Sequence, residues 1–256
     1  MAFVNCDPVF SFLDDRWNIL SAPPAWLTGH LLRRDCLTAP IPSSDYALHS
    51  DELHLVPDLG IVSKGKVGSV LLFGRRPIES MRDIALPSDS STSKSLLKWI
   101  LRERNLDPKF LEMGPDMGTM LNDCDGALLI GDRALSAASS DPALVQLDLG
   151  AEWTQQTGLP MVFGVFAVRR DSPVELVREA HDDMVEQYAK FQRDFNIRAA
   201  VIGAAAESIG FSRERMETYF EQEVSNVMDS SSIQGLTLFL NEVCGLKEGP
   251  TWFLSH

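Results

Sequence analysis

LPSDSSTSKSLLKWILRER, residues 86–104, reads as a complete strand, polar turn and helix. Leu86 closes the apolar run Ile84 to Leu86, and small hydroxyl residues follow. From Ser93 onward Leu96, Leu97, Ile100 and Leu101 recur at helical spacing. Ser90, Ser91 or Thr92 can cap such a helix, whose first backbone N–H groups and positive dipole end then face the space beyond the strand. A carboxylate or phosphate fits there. A hydroxyl cluster that merely caps a surface helix accounts for the same residues, so the neighbouring stretches have to decide.

Outward from that unit the pattern returns. Cys36 to Ile41 reads as a strand, with Pro42-Ser43-Ser44-Asp45-Tyr46 as a second polar turn before a short helix. Asp125 to Ile130 is an apolar strand ended by Gly131-Asp132, where glycine admits a ligand close to the backbone. Asp132 there bonds a ligand hydroxyl or caps a helix beginning at Arg133. Ala2 to Val4 reads as a strand and Asn5-Cys6-Asp7-Pro8 as a turn, which puts an amide with two donors and an acceptor beyond a strand end. An Asx-turn that satisfies only its own backbone is the competing reading of Asn5.

Trp17 to Leu20, Leu53 to Val56 and Gly60 to Val62 are short strand candidates. The loop Ser63 to Gly68 leads through Ser69 into Val70 to Phe73, an apolar run suited to a strand buried on both faces. Lys64 and Lys66 lie beside glycines, where lysines are usually solvated rather than bound to an anion. Pro77 marks a crossing to another lobe, and Thr157-Gly158-Leu159-Pro160 opens the strand Met161 to Val168, long enough to run back. Ser172-Pro173-Val174-Glu175 has the form of a capping box, and the chain beyond it is helical, with Ser212 capping a further helix.

At 256 residues and 45% hydrophobic content the chain forms one large α/β domain or two lobes. A formal net charge of −13 argues against nucleic acid and anionic membrane surfaces, so an anionic ligand has to be held by local donors. Cys6, Cys36, Cys124 and Cys244 are widely spaced and suggest neither a disulfide framework nor a zinc site. The first residues lack the basic and apolar regions of an export signal, which implies a cytoplasmic protein without membrane insertion. The sequence has no H-E-x-x-H, G-x-S-x-G, P-loop or G-x-G-x-x-G motif.

Six stretches in order resemble the MqnA/MqnD family of the futalosine route to menaquinone: VNCDPVF at 4–10, PSSDYA at 42–47, PDLGIVSKGKVGSVLLF at 57–73, SSTSKSLL at 90–97, DGALLIGDRAL at 125–135 and DLGAEWTQQTGLPMVFGVFAVRR at 148–170. The resemblance implies an α/β, two-lobed fold like the type II periplasmic binding proteins, with mixed sheets flanked by helices. Lobe 1 would comprise 1–76 and 168–256, and lobe 2 would comprise 77–167, with crossings near Arg76 and Val165 and a ligand cleft between. Within the family the chain looks like the chorismate dehydratase branch. The branch that makes 1,4-dihydroxy-6-naphthoate carries a catalytic histidine where this chain has Gly131.

By that resemblance the reaction is loss of water from chorismate, giving 3-[(1-carboxyvinyl)oxy]benzoate, by a hydro-lyase that needs no cofactor and no metal. Asn5 and Ser69 are the implied catalytic residues. Ser43, Ser90, Thr92, Ser93, Gly131, Asp132 and Thr157 are the implied substrate-binding ones. The competing readings are a non-catalytic module that captures a small anion and a 1,4-dihydroxy-6-naphthoate synthase. Packing is the expected role of the helical tail.

Overall fold

Residues 3–253 are described by the structure, a computed structural model. Among them nine strands divide between two sheets: β1 (Thr38–Pro42), β2 (Leu53–Ser63), β3 (Val70–Gly74), β4 (Asp83–Pro87), β5 (Lys109–Met113), β6 (Gly126–Ile130), β7 (Val145–Asp148), β8 (Met161–Arg169) and β9 (Ser225–Val227). The first sheet has the order β1-β8-β2-β9 and is antiparallel throughout. The second has the order β5-β4-β6-β3-β7. In it β4 runs parallel to β5 and β6, whereas β3 runs antiparallel to β6 and β7.

Burial follows the residue pattern. The apolar runs of β3 and β6 sit mid-sheet and every residue in them is buried, as strands covered on both faces require. β5, at the edge, carries exposed Lys109 and Glu112, charges that discourage pairing with another chain. β2 is one strand where two short ones were expected. Its register slips between Leu55 and Gly60 around Asp58, which has φ +67°, so the strand bends without ending.

The chain changes sheets earlier than the resemblance implied. β3 pairs with β6 and β7, which places residues 70–74 in the second lobe, and β8 pairs with β1 and β2 from Met161 onward. The crossings therefore fall within 64–69 and 158–160. An apolar run such as VLLF fits either sheet, and only its partners decide.

Three other expectations are corrected. Val4–Cys6 is a 3-10 turn continued by the helix Asp7–Phe10 with Pro8 in its first turn, while Ala2 lies outside the described residues. Trp17 to Leu20 is irregular. The helix Val174–Arg193 has Pro173 at its N-cap, and this pushes Ser172 one residue too far out to cap it; the Ser172 hydroxyl is buried without a partner.

The lobes share a continuous core. Trp153, on the helix Leu149–Thr157, is fully buried and its indole N–H donates to the Pro160 carbonyl at 3.1 Å. Its ring lies 5.3 Å from Trp99 and 6.0 Å from Phe239, so helices from both sides meet on one side chain. Arg104 closes the edge of this contact with two bonds to the buried Glu152 carboxylate, at 2.6 and 3.0 Å.

Asp148 ties the first crossing to the second lobe. Its carboxylate caps the helix Leu149–Thr157 through Ala151 N–H at 3.0 Å. It also accepts from Val67 N–H at 3.1 Å and from Gly68 N–H at 2.8 Å. Gly68, at φ +66°, is needed there, because a side chain would also run into the Glu223 carboxylate. Asp148→Ala strands three backbone donors at once. Urea denaturation should show a loss of about 2–3 kcal/mol, summing a lost cap and unsatisfied N–H groups; a loss below about 0.5 kcal/mol would mean that the crossing is held otherwise.

Candidate functional site

Between the sheets lies a small cavity of about 60 Å³. Asn5, Ser69, Ser90, Thr92, Ser93 and Gly131 line it, together with Phe3, Ile61, Phe163 and the turns at Pro24 and Pro42. Small-molecule sites usually enclose about 300–1,000 Å³, so a ring-sized ligand enters only with the lobes further apart. The described residues that line the cavity include no charged side chain.

The hydroxyl cluster after β4 divides by direction. Ser91 is the N-cap residue of the helix Thr92–Glu103, yet its side chain makes no capping bond and turns instead to Asp45, which Thr28 also holds at 2.6 Å. Thr92 Oγ1 accepts from Ser44 N–H at 3.1 Å, and the hydroxyls of Ser90 and Ser93 bond to each other. None of the four therefore performs the simple capping role. The first N–H groups of this helix are left without a side-chain acceptor where it meets the cavity.

The same holds on the facing strand end. Helix Gly131–Ser140 starts directly at the end of β6, with Ile130 as a cap residue that has no side-chain acceptor. Five other helices begin on Asp116, Asp148, Asp194, Ser212 and Asp229, each of which accepts from its own first turn; those that follow Cys6, Pro23, Pro42 and Pro173 have no side-chain cap either. Two helices of ten residues or more thus begin at one neutral cavity without a side-chain cap, an arrangement that favours an anion. Gly131 has φ +60° and N–H donating to Ser69 O at 2.7 Å; a Cβ on it would lie 2.7 Å from the Phe3 ring. A histidine has no room at that position.

Asn5 sits in the 3-10 turn, its backbone carbonyl accepting from Asn226 Nδ2 at 3.2 Å. Its side-chain Oδ1 is buried with no partner. Such an orphan acceptor costs about 1–3 kcal/mol unless a ligand donor meets it, and it belongs to a cavity-lining residue. Ser69 Oγ accepts from the Tyr219 hydroxyl at 3.0 Å, and its own proton has only a long contact, 3.4 Å, to Val67 O.

Three of the sequence-derived candidates lie outside the lining. Ser43 is fully buried and donates to Val162 O at 2.7 Å, fastening its helix to β8. Thr157 donates to Trp153 O at 2.8 Å and accepts from Leu159 N–H at 3.1 Å, so it shapes the end of its own helix. Asp132 lies inside the helix rather than ahead of it and accepts from Val4 N–H at 3.3 Å, bracing the turn that carries Asn5. Lys64 and Lys66 face Asp229 and Glu223. Tyr219 and Asn226, which hold Ser69 and Asn5, escaped the sequence reading, since each sits in a tail whose pattern is that of ordinary amphipathic helices.

The profile that describes menaquinone biosynthesis matches residues 1–243. The chain belongs to that family. A chorismate dehydratase of Thermus thermophilus is 34% identical over 199 residues, covering 70% of this chain and 73% of the relative. A solved protein structure from Archaeoglobus fulgidus superposes with a TM-score of 0.72 at 21% identity, covering 96% of both chains. The periplasmic aliphatic sulphonate binding protein SsuA of Escherichia coli superposes with a TM-score of 0.56 at 14% identity, covering 93% of this chain and 83% of that one. These likenesses show the two-lobed α/β fold of the periplasmic binding proteins. Among the described residues no helix is long and apolar enough to cross a membrane.

Burial pushes the Asp132 carboxyl up to about 6, and burial plus the charge of Asp132 does the same to Asp7. Both values lie above the unfolded value of about 4. Each group's stabilising contribution is therefore complete below about pH 4 and is lost as pH rises through about 6. Asp132→Asn keeps the acceptor for Val4 and removes the charge. Between pH 4.5 and pH 7.5 its stability relative to the parent chain should rise by about 1–2 kcal/mol in chemical denaturation; an unchanged difference would contradict the assignment.

Proposed function

We propose that the chain is a hydro-lyase that dehydrates chorismate to 3-[(1-carboxyvinyl)oxy]benzoate. The observation that carries this reading is the neutral cavity at which two uncapped helix N-termini meet Asn5 and Ser69. Family membership and the likeness to a chorismate dehydratase support it. The Phe3 ring against Gly131 speaks against the 1,4-dihydroxy-6-naphthoate alternative, which places a histidine there.

The N–H groups at the start of the helix Thr92–Glu103, with the hydroxyls of Ser90, Thr92 and Ser93, hold the ring carboxylate. They stabilise charge that spreads onto it as the ring proton departs. Asn5 and Ser69 orient the leaving hydroxyl and the enolpyruvyl group. Among the described residues no carboxylate or imidazole lines the cavity; the substrate's own enolpyruvyl carboxylate, held close to the proton it takes, serves as the base. The C–H electrons form the new ring double bond, the C–O bond on the adjacent carbon breaks, and hydroxide with that proton leaves as water. Aromatisation supplies the driving force, and closure of the lobes keeps bulk water out.

Incubation of the purified chain with chorismate, followed by mass spectrometry and ultraviolet absorbance, should yield an aromatic product lighter by one water. Asn5→Ala should lower kcat about 10²-fold with a much smaller change in chorismate affinity, the size seen when an oriented hydrogen-bonding group is lost. Tight binding without turnover would favour the small-anion binding module.

A further inference from the structure

Residues 213–227 enter the site from the part of the chain that the sequence assigns only to packing. The helix Arg213–Thr218, capped by Ser212, runs into a π turn over Tyr219–Glu223 and then into β9. A π turn inserts a residue into the helical ladder and re-aims the side chains after it, and such turns recur at functional sites. Here it presents Tyr219, 1% exposed, to Ser69.

The phenol donates to Ser69 Oγ at 3.0 Å. That bond occupies an acceptor site on Oγ and leaves the serine's own proton free to be given forward, since its contact with Val67 O is long and on the serine's own loop. The ring cannot drift: Phe220 packs at 5.4 Å and the Arg215 guanidinium lies 5.9 Å from the ring centroid. Arg215 is in turn fixed by Glu223, at 2.8 Å, across the π turn itself. Burial raises the Tyr219 hydroxyl well above the ordinary phenol range, so it stays protonated and remains a donor.

We infer that Tyr219 is a positioning residue for the dehydration: it fixes the rotamer of Ser69 so that the serine proton points at the departing hydroxyl. The inference rests on the chorismate reading above. Seven residues on, Asn226 gives the matching support to Asn5, donating to the Asn5 carbonyl at 3.2 Å and to Gly60 O at 3.0 Å. The π turn and β9 thereby couple Ser69 and Asn5 to one short stretch of the tail.

The test is a double-mutant cycle of steady-state kinetics with chorismate on the parent chain, Tyr219→Phe, Ser69→Ala and the double variant. Tyr219→Phe keeps the ring contacts, and a melting temperature within a few degrees of the parent confirms the fold. It should lower kcat about 10-fold or more while KM changes less than about threefold. In the Ser69→Ala background the same substitution should change kcat by less than about twofold, because the group it positions is gone. Equal effects in both backgrounds, or a raised KM at unchanged kcat, would overturn the role of Tyr219. Absence of chorismate turnover by the parent chain would instead overturn the proposed function, and this inference with it.

Discussion

A carboxylate ligand inside a chain of net charge −13 needs a positive potential, and among the described residues no lysine or arginine lines the cavity to provide it. The backbone does so. Helices Thr92–Glu103 and Gly131–Ser140 both begin at the ends of strands in the second sheet, and neither has a side chain bonded over its first turn. Keeping those donors open constrains the residues around them. Ser91 turns to Asp45, Ser90 and Ser93 bond each other, and Gly131 takes a left-handed conformation against Phe3. A neutral, donor-rich site also suits a reaction in which the substrate brings its own base, because fixed dipoles stabilise developing charge without competing for the proton.

The second constraint is that the two lobes are held together around this site. Asp148 fixes the outgoing crossing with three backbone donors, and the return crossing ends where Pro160 accepts from the Trp153 indole. Trp153, Trp99 and Phe239 then carry packing from one lobe to the other. The N-terminal turn is a third connection, through Val4 to Asp132, and it carries Asn5. Every cavity-facing polar group is thus attached to an element that also bridges the lobes or to one that supports such a bridge.

Much of this was legible from residue order. The 86–104 unit declares itself through an apolar run, a hydroxyl cluster and a helical period, and Ser69 and Gly131 flank apolar runs that do form strands, whereas the strand read before Asn5 is a 3-10 turn. Hydrogen-bond commitments were not legible. Ser43 and Ser90 look alike in sequence, yet one is used by Val162 O and the other faces the cavity, a difference made by distant strands. Thr157 and Asp132 are likewise spent on Trp153 O and Val4 N–H. The lobe boundaries shifted because VLLF at 70–73 suits either sheet until β6 and β7 are in place. Tyr219 depends on a π turn, for which the amphipathic pattern has no signature.

The central claim, that backbone donors at helix starts take the place of basic side chains, is tested most directly by a crystal structure of the chain with 3-[(1-carboxyvinyl)oxy]benzoate bound. The account predicts the ring carboxylate at the start of the helix Thr92–Glu103, its oxygens about 3 Å from backbone N–H and serine hydroxyl groups. The Asn5 side chain should then have a ligand partner. A carboxylate paired with an arginine or lysine, or a ligand seated outside the cleft with Asn5 Oδ1 still unpartnered, would contradict it.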